Sequence, residues 1–198
     1  MTVAPRLVRV LPPRVLPPRR VRQRHAVLAA VFRALFSRRC LRGTQNILVS
    51  QGNLAITYAK LGRPGQALRV RQEVYSGWLK VLGEEHQDTL IAAINYAISL
   101  HDLRRFHEAK AILRKTIPVV RRVLGDSHEI TFQVRWIYAW ALYKDSGATL
   151  DNVREAVTTL GESEPIARRV LGGAHPTTVG IERTLREARA ALRETNLD

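Results

Sequence analysis

The sequence predicts an all-α fold of stacked antiparallel helix pairs, and three observations predict it. A ten-residue pattern, Val-Leu-Gly-x-x-His-x-x-Thr-apolar, occurs three times, over 81–90, 123–132 and 170–179. Other positions obey the same register: Asn53 and Asn95 lie 42 apart, Ala55, Ala97 and Ala139 lie 42 apart twice, and Ala67, Ala109 and Ala156 lie 42 and then 47 apart. Finally, amphipathic stretches alternate with turn formers, and Val-rich runs of period 2 are absent. A period of this length, met at independent positions, is the mark of a repeat architecture.

Taken in chain order, the first segment differs in kind from the rest. Residues 10–19 are a tandem pentapeptide, VLPPR-VLPPR, followed by Arg20, Arg22 and Arg24. Four prolines in ten residues favour polyproline II, so residues 1–24 are expected to form a disordered Pro/Arg-rich arm. Residues 25–41, HAVLAAVFRALFSRRCL, are helix-prone and apolar on more than one side. Three readings of 25–43 stay open: a helix packed on the first repeat, a targeting presequence with Arg and no acid, or a membrane-surface helix.

From 44 onward each unit divides into an A helix and a B helix. The A helices are predicted at about 45–61, 88–103 and 129–144, the B helices at about 65–82, 106–124 and 151–171. The repeats then run over about 45–86, 87–128 and 129–175. Gly-Arg-Pro-Gly at 62–65 separates the first pair, and Gly83, Gly125 and Gly172 supply C-caps. Pro118 falls inside a B helix, where it is expected to kink the helix or end its regular hydrogen bonding. The five extra residues of the last unit lie between Ala139 and Ala156, where turn formers lengthen a loop. Residues 176–195 continue the register but carry Arg186, Arg189 and Arg193, which suits a capping helix with a wet face.

Charge is also unevenly distributed along the chain. The formal net charge is +15 and the pI about 11.2. No Asp or Glu precedes Glu73; residues 1–72 hold 14 Arg and one Lys, whereas 73–198 hold 17 basic and 17 acidic side chains. Attraction to a polyanion such as RNA therefore belongs to the arm, through Arg14, Arg19, Arg20, Arg22 and Arg24. Cys40 is the only cysteine, which excludes an intramolecular disulfide and a cysteine zinc cage. No uncharged apolar run reaches the ~18 residues of a membrane span.

The unit NLAITYAKLGRPGQALRVRQEVYSGWLKVLGEEH, residues 53–86, resembles a tetratricopeptide repeat of the kinesin-light-chain type. The likeness rests on the Asn-Leu-Ala step, Ala67 and the closing Leu-Gly-x-x-His, and covers about residues 45–195. It implies a right-handed superhelical stack, a tetratricopeptide solenoid of three repeats plus a C-terminal capping helix, whose A helices line a concave groove. The implied groove residues are Asn53 and Asn95, which in that family face a bound extended peptide; the third unit has Ile137 instead. Trp136, Trp140 and Tyr143 lie along one face of the third A helix and are either groove anchors or core. The matching places of the second unit hold Ile94, Ile98 and His101. Lys60, Arg135 and Lys144 are candidates for holding a partner's C-terminal carboxylate, a mode that Gln133 and Ile137 disfavour.

Catalytic patterns are missing: there is no His-Glu-x-x-His, Gly-x-Ser-x-Gly or Walker A sequence. His86, His128 and His175 recur once per unit, about 20 Å apart given helix spacings of 8–10 Å, too far to share a metal; they read as turn stabilisers. Glu84 and Glu85 read as a solvated face. The expectation is a non-enzymatic scaffold or adaptor without metal or cofactor, binding a peptide or partner protein, with another copy or another repeat protein as a further partner. The compartment expected is the cytoplasm, or a mitochondrion or plastid if residues 1–43 are a presequence.

Overall fold

The computed structural model describes residues 43–195, and the arm and the 25–42 segment of the sequence reading lie outside them. Seven helices make up the described chain: α1 over 43–60, α2 Pro64–Leu82, α3 Gln87–Asp102, α4 Phe106–Leu124, α5 Glu129–Tyr143, α6 Leu150–Leu171 and α7 Pro176–Thr195. The six A and B helices start and stop within two residues of their predicted bounds. From α2 onward each helix packs on the next, while α3 lies beside α5 and α5 beside α7. The A-type helices therefore form one layer and α2, α4 and α6 the other.

The close approach of the layers follows from the register. Ala55, Ala97, Ala139, Ala109 and Ala156 are completely buried, and Ala67 nearly so. A methyl group at each crossing lets helix axes come together, as ridge-and-groove packing requires. Around these points one continuous core runs from Leu68 to Leu185, with Phe132, Leu100, Leu113, Leu142 and Leu160 fully enclosed. A smaller cluster of Leu48, Val74, Trp78 and Ala92 seals the first pair against α3.

The repeated decapeptide is a helix-to-helix joint. Gly83, Gly125 and Gly172 follow the B helices with φ of 82°, 83° and 92°, a left-handed region that side chains with a Cβ avoid. Three residues on, His86 and His128 sit at the N-caps of α3 and α5, and His175 immediately precedes α7. The Nδ1 of each accepts from the backbone N–H two residues later, Asp88 and Ile130 at 3.2 Å and Thr177 at 3.3 Å. The histidines thus satisfy orphan amides of the first turn, as the sequence suggested.

Pro118 interrupts the hydrogen-bond ladder of α4 without ending the helix. The helix neither stops nor restarts there but continues to Leu124, and α6 carries Pro165 at the equivalent place, 47 residues on. Both prolines are exposed. A proline has no N–H to donate to the carbonyl four residues back, Arg114 and Gly161 here, and an exposed position lets such a carbonyl turn to solvent. The five-residue insertion falls between α5 and α6 as predicted, but it does not leave the helices intact: part of it lengthens the loop and part extends the start of α6, which has 22 residues against 19 in α4. Lys110 Nζ reaches Asp145 at 2.8 Å to pin that loop, and Thr149 with Asn152 forms a capping box that restarts the chain as α6.

Candidate functional site

α1 and α3 present Asn53 and Asn95 at equivalent register positions, and both side chains are exposed. They line an open hollow with Val49 and Ile56 of α1 and with Asp88 and Ile91 of α3; Leu48, Val74, Trp78 and Ala92 lie at its base. Its volume is about 180 Å³, room for a side chain rather than for a small-molecule ligand, whose pockets run to ~300–1,000 Å³. Val49, Ile56 and Ile91 are exposed apolar side chains around the two amides.

Sequence reasoning missed Arg71, which lines the same hollow from α2. Its Nη1 donates to the Asn95 carbonyl at 3.0 Å and to Ser99 Oγ at 2.8 Å. Burial holds its pKa below the ordinary value, and the charge of Asp102 opposes that shift. The signal was present in the register: the same place in the next two units holds Leu113 and Leu160, both fully buried. An arginine at a core position has to send its charged head to a surface, and here that surface is the hollow.

The remaining groove candidates are placed differently. Ile94 is only 4% exposed and belongs to the core, because α5 packs beside α3 and covers it; it offers a ligand no surface. Ile98 is half-buried. Trp136 lies against Gly180 and its Nε1 donates to Thr184 Oγ1 at 2.8 Å, so α7 covers much of it. Tyr143 donates to Glu187 Oε2 at 2.7 Å, and burial followed by this bond pushes its phenol pKa up. His101 and Trp140 stack on each other with ring centroids 3.3 Å apart, and Phe106 meets His101 edge-on at 4.9 Å. These two stacked rings border a second hollow with Asp102, Arg104, Phe106 and Lys144. The A-helix layer therefore has an open amide-bearing half over α1 and α3 and a half over α5 that its own aromatic side chains occupy. Of the cations considered for a carboxylate clamp, Lys144 is tied to Glu187 at 3.2 Å and Arg135 to Asp126 at 2.9 Å.

The paired helices, the buried alanines and the open A-helix layer are those of one repeat family, and residues 46–121 match the family model of the tetratricopeptide repeat. Over those residues the chain is built of tetratricopeptide repeats. It is similar to solved TPR-like repeats of a protein described as a kinesin light chain, from Podosopora anserina. That likeness has 25% identity and a TM-score of 0.64, and covers 73% of this chain and 66% of that one, less than two thirds of its length. A single-substitution form of such repeats from the same organism aligns at 19% identity and a TM-score of 0.61, covering 88% and 87% of the two chains. BtubC (BKLC) from P. vanneervenii shares the fold at 13% identity and a TM-score of 0.50, with coverage of 77% and 66%. No curated protein matches the chain. Tetratricopeptide stacks are protein-interaction scaffolds, and this chain is a scaffold of that general kind. Among the described residues no helix is long and apolar enough to cross a membrane.

Proposed function

We propose that the chain is a non-enzymatic adaptor that holds an extended segment of a partner protein across α1 and α3. The observation that carries this is the pair of exposed carboxamides, Asn53 and Asn95, flanking an open hollow rimmed by Val49, Ile56 and Ile91. A carboxamide both donates and accepts, so two in register can grip consecutive peptide units of an extended backbone while one apolar ligand side chain enters the hollow. Ile98, His101, Trp140, Tyr143 and Trp136 form the wall along which the segment continues. We assign the activity to the cytoplasm, or to an organelle where residues 1–43 act as a presequence.

The test is selection of binders from a displayed library of extended peptides, followed by affinity measurement on Asn53→Ala/Asn95→Ala. Losing two hydrogen bonds of about 0.5–1.5 kcal/mol each weakens binding by roughly 5- to 150-fold, with the circular dichroism unchanged. Equal affinity for the wild type and the double variant rules the hollow out. The charge distribution favours a second reading, in which Arg14, Arg19, Arg20, Arg22 and Arg24 bind a polyanion while the repeats position the arm. It predicts binding that falls steeply with salt and is lost when those five are changed to Gln; salt-insensitive binding defeats it.

A further inference from the structure

The free face of α7 is charged where its counterparts are core. Counted in the register, Leu90 of α3 and Phe132 of α5 correspond to Val179, Ala97 and Ala139 to Arg186, and Leu100 and Leu142 to Arg189. The residues on α3 and α5 are at most 3% exposed, closed off by the helices packed on them. On α7 all three places are exposed, Val179 at 49%. Arg193, one turn beyond Arg189, is exposed as well.

Arg186, Arg189 and Arg193 make no ion pair or hydrogen bond among the described residues. Of the acids on α7, Glu182 meets Arg168 at 2.6 Å and Glu187 serves Lys144 and Tyr143, while Glu194, next to Arg193, is exposed at the end of the helix. Positions 186, 189 and 193 are spaced i, i+3 and i+7, a single stripe about 10 Å long at 1.5 Å per residue. Where α3 and α5 are built to receive a helix through small and apolar side chains, α7 offers a row of guanidinium groups beyond Val179, with Glu182, already paired to Arg168, one turn before Arg186.

We propose that this face docks an acidic helical segment of another protein, whose carboxylates at i, i+3 or i+4, and i+7 pair with Arg186, Arg189 and Arg193. Guanidinium forks suit carboxylates in two-bond geometry, and a helix is the element that covers the equivalent faces of α3 and α5. The occupants available within the chain are unsuitable. The first 72 residues contain no acid, so the arm is repelled, and α7 of a second copy would bring like charge against like. The surface is separate from the Asn53–Asn95 hollow, and neither assignment depends on the other.

The test titrates the full chain at about 0.1 M salt with an 18-residue amphipathic peptide carrying Glu at the stated spacing. Its Gln counterpart and a uridine oligonucleotide serve as comparison probes. The expected result is Glu-peptide binding that falls at least fivefold in Arg186→Gln/Arg189→Gln/Arg193→Gln and less than twofold when the five arm arginines become Gln. The triple Lys variant should recover only part, because it keeps the charge and loses the fork. No binding, or binding unaffected by the α7 variant, overturns the proposal and leaves the face as a solvated cap. A loss confined to the arm variant assigns the attraction to the arm. Equal α7-dependent loss for the oligonucleotide replaces an acidic protein with a general polyanion and equally overturns it.

Discussion

Acidification should destabilise the stack through His101 in particular. The imidazole is clamped between Trp140 and Phe106, and its Nε2 is buried with no hydrogen-bond partner. Burial, with the nearby Lys144 charge adding to it, lowers its pKa from 6.5 to about 4. The folded state therefore resists a proton that the unfolded state accepts readily. Stability from the neutral ring is complete above 6.5, drains away as pH falls from 6.5 towards 4, and stops changing below 4, where both states are protonated. At about 1.4 kcal/mol per pH unit the ceiling is about 3 kcal/mol. Because the ring is only half-buried, solvent screening reduces this to an expected loss of about 1–2 kcal/mol. The assay is urea unfolding by circular dichroism at pH 7.5 and 4.5, for the wild type and for His101→Leu. Every other titrating group is common to both proteins, so the difference between their two losses isolates His101. If both lose the same stability between these pH values, the clamped neutral imidazole is not what the pH acts on.

Two further outcomes follow from the backbone and the packing. Arg104 takes φ 58° at the place where the first unit has Gly62 at φ 69°, so Arg104→Gly should relieve left-handed strain. After the entropy that glycine costs, a net gain of about 0.5–1 kcal/mol, read as a higher thermal midpoint, is expected; a lower midpoint refutes it. A Cβ at Gly180 would collide with the six-membered ring of Trp136, so Gly180→Ala should displace the indole, break its bond to Thr184 and cost about 1–3 kcal/mol, seen in the near-UV spectrum and in the unfolding midpoint.

The fold was legible because repetition turns one weak local signal into several that must agree. Gly83, Gly125 and Gly172 mark where B helices end, and the histidines three residues later mark where the next helices begin. The alanines announce the crossings. The hollow was legible only in part: Asn53 and Asn95 were found through the family resemblance, whereas Arg71 was passed over although it stands where two later units have leucine. Gly180 was a similar signal, a glycine within a helix at the place where Val49, Ile91 and Gln133 stand in the other A helices, and it is what lets Trp136 turn inward.

By itself, then, the sequence determined the repeat register, the order and ends of the helices, and the concentration of excess charge before Glu73, since these depend on backbone preferences and on charges counted along the chain. The tertiary structure alone decided which A-helix side chains remain open to a partner. Trp136, Tyr143 and Ile94 share a helical face with groove positions, but exposure is set by what the neighbouring helix places opposite: Gly180 and Thr184 receive the indole, Glu187 binds the phenol, and α5 closes over Ile94. Helical periodicity says which way a side chain points. It does not say whether another helix lies there.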